Sequence, residues 1–249
     1  MKKVRGWWLP ENEMHIVEQI NTHSIKNRGN DYQTEQRDYS LALSRKYERR
    51  HDIAIDIGAH VGLWACDIAQ KFKTVICFEP IEEYRECLYK NLKDRKLTNV
   101  YVNDVALGER GSQVTMKVEE DNSGATHIKT YDKDNGYKVQ MRTLDSYGLK
   151  DVHYIKIDAE GYEFNILKGA EWTLETNKPI VVMENKDNQS ERYETRFKFI
   201  RKWMYERNYI VDNVINSEVI WRHKDVPMRD FSVAKDKSMK YADSRSNDT

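Results

Sequence analysis

The stretch Ile53-Ala54-Ile55-Asp56-Ile57-Gly58-Ala59-His60-Val61-Gly62 is a short β-branched run that ends at a carboxylate and turns past two glycines into a helical pattern. An apolar run of this length, bounded by a glycine turn, reads as a buried strand. The alternation continues downstream. Strands are predicted at Thr74-Val75-Ile76-Cys77-Phe78, Val100-Tyr101-Val102, His153-Tyr154-Ile155-Lys156-Ile157 and Pro179-Ile180-Val181-Val182-Met183. Helices are predicted from Val61 to Phe72, from Glu82 to Arg95 and from near Tyr162 onward. Strands that alternate with helices predict an α/β fold, a mostly parallel central sheet with helices on both faces.

Ahead of this unit Met14, Val17 and Ile20 recur at helical spacing between Pro10 and His23, Gly29-Asn30-Asp31 interrupts, and a second helix is predicted from Thr34 to about Arg50. Residues 1–51 thus read as an N-terminal helical extension, a lid or docking layer. Residues 109–143 interrupt the alternation as an insertion, and the spacing of Val114, Met116 and Val118 predicts an antiparallel β-hairpin there. After Met183 a helix from Glu191 to Arg207 carries Phe197, Ile200, Trp203 and Met204 on one face, and Tyr209-Ile210-Val211 with Val219-Ile220-Trp221 reads as a closing pair of strands. The main domain is drawn at residues 52–231. The polar stretch 232–249 lacks apolar periodicity and is expected to be disordered.

The 249 residues suffice for one α/β domain with an extension. Lys plus Arg and Asp plus Glu both number 41, so the basic excess of a phosphate-binding protein is missing and no nucleic-acid partner is expected. Cys66, Cys77 and Cys87 form neither a CxxC pair nor a disulfide framework, and read as buried thiols of a reducing compartment. With no apolar stretch of membrane-spanning length and no secretory pattern after Met1-Lys2-Lys3, a cytoplasmic protein without a membrane partner is expected.

The spacing Asp56-x-Gly58-x-x-x-Gly62 puts glycines where backbone turns tightly into a helix and can approach a ligand. It is not the dinucleotide fingerprint, because Ala59-His60 stands where the second glycine of Gly-x-Gly-x-x-Gly would admit a pyrophosphate. Asp56 instead suits the cationic, amino-bearing end of a ligand such as S-adenosylmethionine. Alone, the loop also fits a plain structural turn. Glu79, in Cys77-Phe78-Glu79-Pro80, can accept both ribose hydroxyls, cap the following helix, or do both. Asp104, in Asn103-Asp104-Val105-Ala106-Leu107, can contact an adenine directly or through neighbouring backbone, or serve only its turn. The fourth strand runs into Asp158-Ala159-Glu160-Gly161-Tyr162-Glu163. A helix dipole accounts for part of Glu160 and Glu163, whereas Asp158 stands at the ligand-binding edge beside the first strand.

Together with Val105-Ala106-Leu107-Gly108, Thr143-Leu144-Asp145 and Leu167-Lys168-Gly169-Ala170, these segments resemble, in order, the FkbM family of S-adenosylmethionine-dependent methyltransferases. The resemblance runs from about Asp52 to Asn185, and Ile155 to Glu163 is its most specific part. It implies a Rossmann-like class I methyltransferase fold and methyl transfer, usually to a hydroxyl oxygen of a sugar, polyketide or other small molecule. It also implies that Asp56, Gly58 and Gly62 hold the methionine end, that Glu79 takes the ribose, and that Asn122-Ser123-Gly124-Ala125 is the family's small-residue turn. Asp158 and Glu160 become active-site carboxylates. The expected cofactor set is therefore Asp56, Gly58, Ala59, His60, Gly62, Glu79, Pro80, Asp104, Val105, Ala106 and Asp158. His60 departs from the family, which more often has Asn there.

Methyl transfer needs alignment and, for a hydroxyl nucleophile, a proton acceptor. The candidates are Asp158 first, then Glu160, His60 and His127, with a simple polar contact as the alternative for either imidazole. Asp158, Glu160 and Glu184 can also gather a divalent cation, which no motif spacing demands, so no metal is assigned. Two other readings stay open, an NAD-dependent oxidoreductase and a non-catalytic nucleoside-binding module. A nucleic-acid methyltransferase would show Asn-Pro-Pro-Tyr or Asp-Pro-Pro-Tyr after strand four. The acceptor is expected to be a small molecule or glycan chosen by the extension and the insertion; the oligomeric state has no sequence signal.

Overall fold

The protein is described from a computed structural model, which describes residues 1–23, 33–46, 51–119, 122–129, 136–185, 191–193 and 196–228. The chain opens with an antiparallel hairpin, β1 (Lys2–Val4) and β2 (Trp7–Leu9), and continues into α1 (His15–His23) and α2 (Thr34–Lys46). The alternating unit follows: β3 (Ile53–Ile57), α3 (Leu63–Ile68), β4 (Thr74–Phe78), α4 (Glu82–Asp94) and β5 (Val100–Asn103). Next come β6 (Ala106–Leu107), β7 (Ser112–Lys117), β8 (His127–Ile128) and β9 (Tyr137–Arg142). The chain then returns to the main sheet with β10 (Val152–Ile157), α5 (Glu163–Lys168), α6 (Glu171–Asn177) and β11 (Ile180–Glu184). It finishes with α7 (Phe197–Glu206), β12 (Tyr209–Ile215) and β13 (Glu218–His223).

Among the described residues, seven strands form the main sheet in the order β12-β13-β11-β10-β3-β4-β5. The five from β11 to β5 are parallel, and β13 and β12 add antiparallel edges. Parallel strands buried on both faces read as continuous apolar runs, which is why the sequence located them. Ala54, Tyr154, Ile180 and Val182 face a core shared with α1 to α4, and Ile55, Ile57, Ile155 and Met183 face a second core under α5 to α7. Each such fully buried aliphatic side chain contributes about 1.5–3 kcal/mol.

The extension is a packed layer as well as a roof. Across one sheet face, Ser40 Oγ lies 2.8 Å from the Tyr154 hydroxyl and Arg37 pairs with Asp67 at 2.9 Å. The opening hairpin, which its short strands hid from a periodicity reading, docks on α4. There buried Asn91 accepts from the Trp8 N–H (2.8 Å) and donates to the Trp8 and Val61 carbonyls (2.9 Å each). The Arg95 guanidinium stacks 3.4 Å from the Trp7 ring centre.

The insertion is larger than a hairpin. Among the described residues β6, β9, β7 and β8 form a four-stranded sheet in that order, and β6 lies before residue 109. Val118, expected to extend the alternation, lies past the end of β7 and is exposed. The helix expected from Tyr162 is two helices, α5 and α6, separated at Gly169 and Ala170. The helix expected from Val61 to Phe72 is confined to α3. Upstream of Phe197 the expected long helix gives a 3-10 turn, Glu191–Tyr193. The break at Gly29-Asn30-Asp31, the end of the second helix after Lys46, and the tail 232–249 lie outside the described residues. No helix of the described residues is long and apolar enough to cross a membrane, and Cys66, Cys77 and Cys87 are buried free thiols.

Two of the motif segments are structural. Asp145 accepts from the N–H groups of Trp172 and Thr173 and from the Thr173 hydroxyl, so the Thr-Leu-Asp turn caps α6. A β-carbon on Gly169 would stand 2.0 Å from the Gly108 carbonyl oxygen, so the two glycine-bearing motifs pack backbone against backbone. Gly169→Ala should therefore cost about 2–3 kcal/mol or more in chemical denaturation, as overpacking against unyielding backbone does. Gly148, at φ +58° with nothing near its absent β-carbon, should lose only about 1 kcal/mol on the same change. Equal losses at the two positions would remove the packing explanation.

Candidate active site

A cavity of about 500 Å³ opens at the carboxyl ends of β3, β4, β10 and β11, within the range of small-molecule sites. The glycine-rich turn forms one wall because Gly58 and Ala59 donate their N–H groups to the Phe78 carbonyl at 3.0 and 3.2 Å, bending the chain across the end of β4. Gly58 adopts φ +75°, and a β-carbon there would lie 1.9 Å from the Asp158 carbonyl oxygen. The turn is thereby pressed onto the strand that carries the expected active-site carboxylate.

Asp56, Gly58, Ala59, His60, Glu79 and Pro80 all line the cavity, as do Val105, Ala106, Asp158 and Glu160. Three members of the expected set do not. Gly62 starts α3 at φ +87°, where a β-carbon would meet Leu88 Cδ1 at 2.2 Å, so its place is the contact with α4. Asp104 is exposed, because the turn from β5 to β6 sends it to solvent while Val105 and Ala106 face inward. His127 is buried in the insertion sheet beside its own Ala125 carbonyl (Nδ1 at 2.9 Å), away from the cavity wall.

The charge pattern at the centre was not anticipated. Lys156 pairs in register with Asp56 on β3 and with Val182 on β11, so its side chain shares their face of the sheet. Glu218 pairs with Glu184 on that face, one strand further out. The Lys156 ammonium, 2% exposed, bonds Asp158 Oδ2 at 2.7 Å and lies 5.4 Å from the Trp64 ring centre. Burial works against its charge, but Asp158, Glu218 and Asp56 outweigh it and hold the proton above the ordinary lysine range. A lysine inside an otherwise apolar strand was the available signal.

Around that cation the acids are strained electrostatically. Asp56 is fully buried, and neither carboxylate oxygen makes a well-formed hydrogen bond, although the Ala65 backbone N–H lies close enough to favour its charge. Burial pushes it up to about 6 against the pull of Lys156. Glu79 accepts from the Ile81 N–H (2.8 Å) and the His60 N–H (2.9 Å), yet burial still raises it to about 7. Glu79 ties the glycine-rich turn to the start of α4 and also lines the cavity. Glu163 accepts from Ala159 and Gly161 N–H groups at 3.0 and 3.1 Å, which makes it the brace of the turn after β10; burial lifts it to about 7. His60 is shifted the other way, its imidazole kept neutral by burial. Asp158, Glu160 and Glu184 bring ligand atoms within 4.8 Å of one another, a spacing open to a divalent cation.

The roof comes from residues that the sequence left without a role: His15, Ile16 and Gln19 of α1, then Gln33 and Gln36. Gln33 accepts from the Trp64 indole N–H at 2.6 Å and donates to Glu218 at 3.5 Å, which docks the start of α2 onto the cavity.

With this geometry, the family profile described as the methyltransferase FkbM domain matches residues 56–211, well over half of the chain. The chain belongs to the FkbM methyltransferase family. An FkbM methyltransferase from Methylobacillus flagellatus KT superposes at a TM-score of 0.50 with 16% identity, over 86% of this chain and 63% of that one. Methyltransferase 1 of Beauveria bassiana is 20% identical over 161 residues, which is 53% of this chain and 65% of the relative. An rRNA methylase from Streptococcus thermophilus aligns at a TM-score of 0.47 and 14% identity, over 76% of this chain and 93% of that one. The chain thus spans less than two thirds of the length of the first two relatives. The fold is that of class I methyltransferases, as the FkbM resemblance implied.

The raised acids fix a pH dependence. Asp56, Glu79, Glu163 and Glu218 bind protons more tightly folded than unfolded, so the stability they confer is lost as pH rises through their folded values of about 6, 7, 7 and 8. His60, shifted downward, acts oppositely but only below the ordinary imidazole value of about 6.5. Stability from denaturant titration should fall by about 2–4 kcal/mol between pH 6.5 and 8. A flat or rising profile would show that these carboxylates are hydrated.

Proposed function

We propose that this FkbM-family chain is an S-adenosylmethionine-dependent O-methyltransferase, acting in the cytoplasm on a hydroxyl of a sugar, glycan or small metabolite, with neither nucleic acid nor membrane as partner. The observation that carries the cofactor reading is Asp56. A fully buried carboxylate on a cavity wall, with no well-formed hydrogen bond on either oxygen and only Lys156 and the Ala65 N–H to favour its charge, suits a cationic donor group, since burying it otherwise is costly.

The residues present fit the cofactor. Asp56 and the backbone from Gly58 to His60 would hold the amino-acid end. Glu79 would accept from the ribose hydroxyls with the lone pairs that Ile81 and His60 leave free, and Val105 and Ala106 would cover the adenine. When bound, the cofactor supplies a methyl group made electrophilic by its sulfonium. Asp158 and Glu160 stand on the far side of the turn from Glu79's strand, where an acceptor would enter. A hydroxyl-rich acceptor is supported by the neutral amides of Gln19, Gln33, Gln36 and Asn216 around the same cavity, which can donate and accept in turn.

Calorimetry with S-adenosylhomocysteine should detect binding where NAD gives none. Asp56→Asn and Glu79→Ala should each weaken it by roughly 10–100-fold, the value of a lost charge-assisted hydrogen bond. Asp158→Asn should keep that affinity and lose most turnover of a hydroxyl acceptor found in a glycan and metabolite panel, with thermal melting to confirm folding. Unchanged affinity in both of the first two variants would sink the cofactor placement. Unchanged turnover in the third would remove Asp158 from the reaction.

A further inference from the structure

Three side chains far apart in sequence form a hydrogen-bonded chain at the cavity wall. Glu13, fully buried just before α1, accepts from the Ile16 N–H at Oε1 (2.7 Å). Its Oε2 accepts from the Ser123 N–H (2.8 Å) and takes a close contact from the Ser123 hydroxyl. Ser123 Oγ in turn lies 2.8 Å from His60 Nε2. The directions follow from counting hydrogens. A carboxylate only accepts, so the Ser123 hydroxyl spends its single hydrogen on Glu13, and its oxygen can then only accept from the ring.

We propose that Glu13 and Ser123 are positioning residues that hold His60 in the Nε2–H tautomer, leaving Nδ1 as the ring's proton-accepting atom. Other groups facing this imidazole fit that state. The Tyr84 ring of α4 packs edge-on at 4.6 Å, the Glu79 carboxylate fixes the His60 backbone N–H, and the charges of Asp158 and Lys156 act from the end of β10. The His60 backbone itself is held at φ +49°, a left-handed conformation that a histidine adopts only when its surroundings fix it. Burial keeps the ring neutral and therefore able to accept.

The role of this relay rests on the proposed transfer to a hydroxyl. As the acceptor oxygen bonds to the methyl carbon and the carbon–sulfur bond breaks to leave a neutral thioether, the hydroxyl proton passes to Nδ1. The imidazolium so formed is stabilised by the negative charges of Glu13 and Asp158, both of which favour the protonated ring. His60 thereby competes with Asp158 for the base, since Asp158 already holds the Lys156 ammonium on Oδ2.

The test needs no acceptor. In the full chain labelled with ¹⁵N-histidine, proton–nitrogen correlation spectra across pH 5 to 8 should show His60 as a single Nε2–H tautomer. Ser123→Ala should shift it to a mixture of tautomers. Glu13→Gln, whose amide can donate to Ser123 Oγ and free the hydroxyl hydrogen for the ring, should shift it toward Nδ1–H. An Nδ1–H or mixed tautomer in the unaltered protein overturns the proposal without recourse to any variant, and so does a tautomer indifferent to both substitutions in folded protein. S-adenosylhomocysteine titrated into the same unaltered sample separates the two readings. Failure to bind with the Nε2–H form intact would defeat the cofactor assignment alone, and binding with the opposite tautomer would defeat the relay alone.

Discussion

A buried ammonium among buried carboxylates is the constraint around which this molecule is arranged. Lys156 is carried into the sheet by the central strand β10, and Asp56, Asp158 and Glu218 converge on it from β3, from its own strand end and from β13. Removing a single partner of such a group usually costs 3–5 kcal/mol, whereas its net contribution with all partners present is much smaller. The cluster is thus better understood as fixing which strands end where than as a source of stability. It places more acids than cations along one wall of the cavity.

Much of this was legible in the sequence because the signals were local. Strands buried on both faces show as uninterrupted Ile and Val runs, and Asp56, Glu79 and Asp158 declare themselves by standing where those runs stop. Legibility ended where the reason for a residue lies far along the chain. Glu13 precedes the glycine-rich turn by dozens of residues and looks like an ordinary helix-start acid, which it also is through the Ile16 N–H. Lys156 hides inside a strand pattern. The opening hairpin escaped because strands as short as Lys2–Val4 and Trp7–Leu9 carry too few residues to display a period. Asp104 and His127 are polar residues near the right elements, but their turn and strand carry them away from the cavity wall, which leaves them the plain structural alternatives.

The family motifs divide accordingly into two kinds. Gly108, Asp145, Glu163 and Gly169 are explained by caps and backbone contacts and need no ligand. Asp56, Glu79 and Asp158 are incompletely explained by the fold, which is what a ligand-facing set should look like. The glycine-rich turn belongs to both, since Gly58 serves the contact with Asp158 while its neighbours face the cavity. The extension, which precedes the stretch of resemblance, and the insertion meet at Glu13 and Ser123, and through Ser123 they reach His60 of the turn.

Asn91 binds the opening hairpin to α4 and to the Val61 carbonyl of the glycine-rich turn, and this has a temporal side. Trp8 and Asn91 are 83 residues apart, so residues 2–9 have no place to settle until α4 has been made. At ribosomal speeds of roughly 5–20 residues per second, that interval is about 4–17 s, plus the time for α4 to clear the exit tunnel. The segment that carries Trp7 and Trp8 thus waits for α4, while β10 and the elements after it are still to be made.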